Sequence, residues 1–308
     1  MDFKQELIKN AIDSSGFQLG GASATSAGYV NPDIWNRKLV DYQEQNLVIS
    51  KLGMVYNDLL NQPGEILNVS VDAEPSSASA LVESDDVSID ALSFSQVVFT
   101  PTEYGAAYQV SDKEARRSFF SIMDNMVKKL GYRLALKKEN LAISTVTSGA
   151  GNSIVANGVA SSAIASSDTI DVDDIINAMS EIRKDKYTPK DLIVGVEQIG
   201  DLMKLDNFKQ AYAYGGREVI LGGSLGTVLG LNVYWTQGIA AASNKEKAIM
   251  LGVSGSGESA FGIAQKSTAQ IKTQYFARGR YTDVVAVEEY NIQVIHGDAI
   301  CTIESYAA

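Results

Sequence analysis

The chain has 308 residues, of which 45% are hydrophobic and 20% charged, as is ordinary for a globular protein of one large domain or two. Its net charge of −11 argues against general nucleic-acid binding, because that function requires a basic surface. The single cysteine, Cys301, and the single histidine, His296, exclude an intrachain disulfide and most metal sites built from these residues.

No secretion signal opens the sequence, and no apolar run approaches the roughly 18 residues of a membrane span. We therefore expect a soluble protein that folds in a reducing cytoplasm, with no cofactor and no membrane partner.

The N-terminal region is predicted to be an arm rather than part of a core. Apolar residues within 2–13 lie on one side of a short amphipathic helix. Residues 20–28 are Gly, Ser, Ala and Thr, which is typical of a flexible linker, and apolar content resumes over 33–60. We expect residues 1–28 to be a tether that becomes ordered against a partner.

Two alternating segments predict a long, protruding β-hairpin. Residues 66–73 alternate cleanly between apolar and polar side chains, and residues 92–99 do so less cleanly. The eighteen residues between them are rich in Ser, Ala and Asp. A loop of this length is uncommon inside a compact domain and is often functional.

The strongest local pattern is a long helix with a defined start. A strand over 105–110 leads into Ser111 and Glu114, whose spacing predicts a capping box. Helical spacing of apolar residues then continues to Leu141. We predict a helix over 112–146, about 50 Å long at ~1.5 Å per residue.

The remainder predicts an α+β fold of mixed architecture, without regular βαβ repetition. Residues 148–170 favour loops or a hairpin, and 207–226 favour irregular structure. Helices are expected at Val172–Lys184, where Asp171 is the N-cap, and at Glu197–Leu205. A buried strand is expected between them at Leu192–Val196. Short strands are expected near 228–235, 247–253, 259–264, 269–276 and 284–303, the last containing His296.

No enzyme signature rises above background. The glycine cluster that ends at Gly226 is followed by no Lys, as a Walker loop requires, and a strand-type run follows it instead of a helix. Asp171, Asp173 and Asp174 fit first-turn acids on a helix dipole better than a cation site. His296 is expected to be an ordinary strand residue.

Charge is segregated along the chain. Between Lys51 and Lys113 there are ten acidic residues and no Lys or Arg, and the predicted helix that follows is basic. Either both are solvated surfaces, or copies of the chain lay an acidic arm on the basic helix of the next copy. On the second interpretation the candidate residues are, in the loop, Glu74, Glu83, Asp85, Asp86 and Asp90, and, in the helix, Lys113, Arg116, Arg117, Lys128, Lys129, Arg133 and Lys137.

The order of elements resembles that of tailed-phage major capsid proteins, the Hong Kong 97 fold. The order is arm, protruding hairpin, strand, capped long helix, α/β region and closing strands. Three short segments are also similar to family motifs: Ala107–Glu114 to the strand that enters the spine helix, Gly226–Val233 to a later strand with Asn232 where Pro is usual, and Lys247–Gly252 to the strand after it.

The resemblance implies a division of the chain into named parts. These are an N-terminal arm at 1–63, an extended loop at 64–100, a peripheral domain at 101–147 and 259–295 with spine helix 112–146, an axial domain at 148–258, and a C-terminal strand and tail at 296–308. It also implies hexamers and pentamers that build an icosahedral shell around double-stranded DNA, with portal and scaffolding proteins as partners, in a virion assembled in the host cytoplasm.

Two other functions stay open. Encapsulins, which enclose cargo protein, share this fold, and a more distant alternative is a soluble α/β enzyme or binding domain.

Two departures from the family pattern matter. Some members cross-link a loop Lys to an Asn of a neighbour, but the segment 64–100 contains no Lys, so we expect shells without covalent cross-links. Only about 30 residues precede the first apolar segment, so we expect any scaffolding to be a separate protein.

Overall fold

Helices and strands follow one another in the mixed order of an α+β chain. The structure is a computed structural model that describes residues 47–60, 62–72, 80, 94–117, 122–205, 227–239 and 241–307. In chain order its elements are β1 (Met54–Tyr56), β2 (Leu67–Asp72), β3 (Phe94–Phe99), β4 (Thr102–Ser111), α1 (Asp112–Arg117), α2 (Ile122–Ser148), β5 (Asn152–Val155), α3 (Val172–Lys184), β6 (Thr188–Val194), α4 (Val196–Lys204), β7 (Thr227–Val228), β8 (Leu231–Trp235), β9 (Lys245–Val253), β10 (Phe261–Phe276), β11 (Tyr281–Val294) and β12 (Ile300–Tyr306).

A four-stranded sheet in the order β1-β10-β11-β4 carries the long helix α2 on one face. The pairs β10–β11 and β11–β4 are antiparallel, and β1 joins β10 in parallel. Every second residue of β11 from Val284 to Ile292 is buried. Leu130 and Leu134, one helical turn apart on α2, pack with Val284 and Ala286 because the helical and strand periods bring these apolar side chains together.

A six-stranded sheet in the order β5-β12-β9-β6-β8-β7 forms the second layer. Helix α3 packs on it through an apolar stripe that includes Ile175, Met179 and Ile182. The helix starts at a capping box, in which the amide of Asp174 donates to Asp171 Oδ1 at 2.9 Å and the amide of Asp171 donates to Asp174 Oδ2 at 3.2 Å. The predicted helix and its cap are confirmed.

The two sheets share one apolar cluster. Ala142 and Val146, in the last turns of α2, are buried together with Ile249 of the six-stranded sheet and Tyr290 of the four-stranded sheet. The second half of α2 is therefore part of the main core, which ties its position to both sheets.

Strands β2 and β3 form a separate antiparallel ribbon. At its base Leu67 pairs with Phe99, which is fully buried and lies 5.8 Å from the ring of Tyr56. At its other end Asp72 pairs with Phe94, which is 56% exposed. Burial therefore falls along β3 from the base of the ribbon to its end, and the two strands are those that the alternation of the sequence predicts.

Three strand predictions need correction. The segments 259–264 and 269–276 belong to one strand, β10, because irregularities between Gln265 and Gln270 shift the register without ending the pairing with β11. The run 284–303 is divided by a turn at Gly297–Ala299, and His296 follows β11 instead of lying in it, with Nδ1 3.2 Å from the Tyr187 hydroxyl. The run 228–235 is two strands, because Leu229 and Gly230 turn with positive φ.

The long helix is described in two pieces. Helices α1 and α2 cover the predicted range 112–146 apart from residues 118–121, which lie outside the described residues, and α2 extends to Ser148. The predicted helix at 2–13, the linker at 20–28, most of the acidic loop and the segment 207–226 also lie outside them.

Candidate assembly surfaces

A complete capping box fixes the start of the basic helix. The amide of Glu114 donates to Ser111 Oγ at 3.2 Å, and the amide of Ser111 donates to Glu114 Oε2 at 3.2 Å. The side chain of Asp112, the first residue of α1, is bound to β10, because the Tyr275 hydroxyl donates to its Oδ2 at 2.8 Å. This hydrogen bond raises the pKa of Tyr275. The sequence prediction of a capping box is confirmed.

Four of the seven basic residues predicted on this helix are exposed and carry no described aromatic or ionic contact. They are Lys113, Arg116 and Arg117 of α1 and Lys128 of α2. The Nε–H of Arg116 donates to the backbone oxygen of Asp112 at 3.1 Å, and the residue remains exposed. Lys129 is half-buried.

From Arg133 onward, α2 directs basic side chains onto its own sheet. Arg133 lies 4.9 Å from the ring centre of Tyr108, and Lys137 lies 5.6 Å from that of Tyr104. Tyr104 and Tyr108 are four residues apart on β4 and therefore lie on the same face of the strand, and Arg133 and Lys137 are about one turn apart on α2, so each long cationic side chain reaches one ring. Cations over aromatic faces are attracted by the ring quadrupole. These two residues, which sequence analysis assigned to contacts between copies, thus have partners within the chain.

Lys138 is a third basic residue of α2 that contacts the four-stranded sheet, and it directly precedes the fully buried Glu139. Its Nζ lies 2.7 Å from Glu288 Oε1 and 4.8 Å from the ring centre of Tyr290. The lysine side chain is 18% exposed and the glutamate 8%. The pair is therefore largely desolvated, and either charge alone would be costly there.

Glu139 anchors the segment that precedes β1. Its carboxylate accepts hydrogen bonds from three consecutive backbone amides, those of Val48 at 2.7 Å, Ile49 at 2.8 Å and Ser50 at 3.0 Å. The side chain is fully buried, so these amides stand in for the water that the carboxylate has lost. Through this contact α2 holds the chain at the point where the described N-terminal residues begin.

The structure adds two arginines that sequence analysis missed. Arg278 and Arg280 lie in the turn between β10 and β11 and are exposed. The amide of Asp112 donates to the backbone oxygen of Arg280 at 3.0 Å, so this turn lies against the first residue of α1. The sequence Arg278-Gly279-Arg280 indicates a basic turn. Its contact with α1 could not be predicted, because about 160 residues of sequence separate the two segments.

The five acidic candidates, at positions 74, 83, 85, 86 and 90, lie outside the described residues. Their attachment points are described: Asp72 ends β2 and Phe94 begins β3, at the exposed end of the ribbon. The base of the ribbon is tied to β11, because Asn291 Nδ2 donates to the backbone oxygen of Thr100 at 2.6 Å.

Two further buried carboxylates, those of Asp174 and Glu246, bind backbone amides at the starts of helices that pack on the six-stranded sheet. Burial raises the pKa of Asp174 to about 6, against the hydrogen bond from the amide of Asp171. Burial likewise raises the pKa of Glu246, which accepts from the amide of Gln198 at 3.3 Å. Both acids bind backbone amides at the start of a helix, which assigns them to capping.

The described residues contain no cluster of three or more His, Cys, Asp or Glu side chains suited to a metal ion. Among the helices that are described, none combines the length and apolar character needed to cross a membrane.

Solved capsid structures share this architecture. One from Mycobacterium phage Che8 superposes with a TM-score of 0.72 at 15% identity, over 90% of this chain and 98% of that one. The capsid structure of cyanophage P-SCSP1u gives 0.72 at 13% identity, over 94% and 97%. The capsid asymmetric unit of cyanophage Pam1 gives 0.71 at 11% identity, over 96% and 99%. The predicted Hong Kong 97-type capsid fold is confirmed.

A family model described as phage capsid protein matches residues 95–289, which is more than half of the chain. The chain therefore belongs to the phage capsid protein family, and it is a capsid subunit of the shell. A comparison with curated protein sequences gives no match.

Proposed function

We propose that the chain assembles as hexamers and pentamers into an icosahedral shell that encloses double-stranded DNA. The family match carries this proposal, and the separate β2–β3 ribbon supports it, because a two-stranded ribbon has little stability without a partner. The role is structural, without catalysis. The mature location is the virion, after assembly in the host cytoplasm.

The contact between copies is proposed to join the acidic loop of one subunit to the basic helix of the next. The loop acids follow the exposed end of the ribbon in sequence, and six of the seven predicted helix cations are exposed, four of them without a described aromatic or ionic contact. Opposite charge on the two surfaces would set the register and accelerate encounter. Single exposed ion pairs are weak, at about 0.2–1 kcal/mol, but every copy of a shell repeats them.

The two sheets support the proposed division into peripheral and axial domains. The four-stranded sheet with α2 takes its strands from both proposed peripheral ranges, 101–147 and 259–295, and adds β1 from the proposed arm. The six-stranded sheet takes β5 to β9 from the proposed axial range 148–258 and adds the C-terminal strand β12. Residues 1–28 are proposed to clasp a neighbouring copy.

Portal and scaffolding proteins are proposed as further partners, and packaged DNA as a weak, non-specific one. A net charge of −11 favours weak contact with a polyanion.

Mature shells are proposed to be free of covalent cross-links, because the segment 64–100 has no Lys and the chain has one cysteine, which is buried. Boiled, reduced particles should then run as one band near 33.0 kDa. A ladder of multimers on that gel would contradict this proposal.

Imaging and content analysis of purified protein test the function. Negative-stain images should show closed shells or capsomers, and nuclease-protected double-stranded DNA should be recovered from particles made during infection. Subunits that stay monomeric under all assembly conditions would overturn the shell proposal. Particles that protect cargo protein and no DNA would identify an encapsulin.

A further inference from the structure

We propose that the acidic loop of one copy docks on a single patch of its neighbour, at the end of the four-stranded sheet where β10 turns into β11. We call it the tip patch, and its members are Lys113, Arg116, Arg117, Arg278 and Arg280. The proposal rests on the shell function above and narrows the docking surface from the whole helix to this patch.

Chain pairing builds the tip patch from two distant segments. In the β4–β11 register Ser111 lies opposite Tyr281, so the start of α1 meets the end of the β10–β11 turn. The amide of Asp112 donates to the backbone oxygen of Arg280 at 3.0 Å, and the side chain of Asp112 accepts from Tyr275 at 2.8 Å. Backbone and side-chain contacts thus hold both basic segments at one end of the sheet.

The cations of the tip patch form no ion pair within the described part of the chain, and all five side chains are exposed. The two nearest acids in sequence, Asp112 and Glu114, accept hydrogen bonds from Tyr275 and Ser111 and keep their negative charge, so they offset the five cations only in part. Five cations gathered at one corner repel one another until an anionic partner arrives.

The body of α2 is a poorer docking surface. Arg133 and Lys137 lie over tyrosine rings of β4, and Lys138 is paired with Glu288. An acidic loop would have to compete with these contacts, whereas the tip patch offers cations without intrachain partners.

The chain itself supplies the matching anion. From residue 52 to residue 112 it has ten acids and no Lys or Arg, and five of those acids fall between Asp72 and Phe94, the ends of the ribbon strands. The base of the ribbon lies at the Thr102 end of β4 and the tip patch at the Ser111 end, about 30 Å away for ten residues of strand. A contact between two different surfaces of the subunit is a head-to-tail contact, and such contacts generate rings when the rotation closes.

Charge reversal in the full-length chain tests the proposal. One variant reverses the loop (Glu83→Lys, Asp85→Lys, Asp86→Lys), and a second reverses the tip patch (Arg116→Glu, Arg117→Glu, Arg278→Glu). We expect each to lower the yield of particles or capsomers by about tenfold or more, because several favourable pairs become repulsive in every copy. Lys128→Glu, an exposed charge reversal on the same helix outside the patch, should keep the wild-type yield.

Mixing the two variants separates contact between copies from contact within one chain. A loop-reversed subunit has a basic loop and a basic patch, and a tip-reversed subunit has an acidic loop and an acidic patch. Each variant alone presents like charges at every contact. In a mixture, alternating hexamers let every loop meet an opposite patch on the other kind of subunit, and a pentamer keeps one like-charged contact of five. We therefore expect the mixture to recover particles that neither variant forms alone, which also shows that both variants fold.

Several outcomes would overturn the docking site and leave the shell function standing. These are normal yield from the tip-reversed variant, loss of assembly from Lys128→Glu with an intact tip patch, or rescue only when both reversals are in one chain. Normal assembly of the tip-reversed variant with reduced DNA content would assign the patch to nucleic acid instead. Absence of particles from the wild-type chain itself would count against the proposed function.

Discussion

The two ends of the basic helix use the same residue types for different purposes. At its start, Lys113, Arg116 and Arg117 are exposed and have no described ionic partner. Farther along, in α2, Arg133, Lys137 and Lys138 contact tyrosine rings or a carboxylate of their own sheet. Basic residues on a helix therefore do not define an interface by themselves, because partners on the packed sheet decide which of them are left for a neighbour.

The comparison predicts that changes in the second half of α2 lower the stability of the subunit, whereas changes at the start of the helix lower assembly. The largest effect is expected at Glu139. Glu139→Gln retains one acceptor oxygen but turns an amide NH2 toward backbone amides that also donate, so at least one N–H of the anchored segment loses its partner. We expect the free energy of unfolding to fall by about 2–4 kcal/mol in urea titration of dissociated subunits. A loss below about 0.5 kcal/mol, the scatter of ordinary surface changes, would show that the anchor is dispensable.

The next largest effect is expected at the ion pair. Lys138→Met leaves the largely buried Glu288 without its cation, and we expect a loss of about 2–3 kcal/mol. The double variant Lys138→Met/Glu288→Gln should regain most of this loss, because the neutral amide can still bind Gln265, whose Nε2 lies 3.2 Å from the carboxylate. If the double variant is as unstable as the single one, packing and not charge explains the loss.

A smaller effect is expected where Arg133 covers Tyr108. Exposed cation–π contacts contribute about 0.5–1 kcal/mol, so a double-mutant cycle of Arg133→Ala and Tyr108→Leu should give a coupling energy in that range. A coupling energy of zero would remove the distinction between Arg133 and the cations of the helix start, which have no described aromatic or ionic contact.

The smallest effect on stability is expected at the start of the helix. Arg116→Ala/Arg117→Ala should change the free energy of unfolding by less than about 0.5 kcal/mol, because the side chains are exposed and the Nε bond of Arg116 stays within its own helix. The same variant should still lower particle yield. A stability loss as large as that of Lys138→Met would mean that the helix start belongs to the fold as much as its second half does.

Much of this fold could be predicted from local sequence. The capping box at Ser111 is predicted from a pair three residues apart, the cap of α3 from Asp171 before an apolar stripe, and the ribbon strands from their alternation. Such signals depend on neighbours in the chain, so they survive without knowledge of the tertiary structure. The order of these elements was sufficient to indicate the capsid family.

The details of the surface could not be predicted, because they depend on strand register. Tyr104 and Tyr108 meet Lys137 and Arg133 only through the packing of α2 on β4. Arg280 reaches Asp112 only because β11 pairs with β4 across about 170 residues of sequence. From the sequence alone, the helix cations form one basic surface. Packing on the sheet divides them into cations that contact the sheet and cations that have no described partner on it.

Zero-length cross-linking of carboxylates to amines, in particles assembled from equal amounts of ¹⁴N- and ¹⁵N-labelled subunits, tests the central claim most directly. Lys113 is the only amine of the tip patch, so mass spectrometry should find it joined to loop acids among Glu74, Glu83, Asp85, Asp86 and Asp90. About half of these linked peptides should carry both isotopes, because the contact joins two copies. Loop acids joined only to Lys128 or Lys137, or to Lys113 without mixed isotopes, would contradict docking of the loop on a neighbour's tip patch.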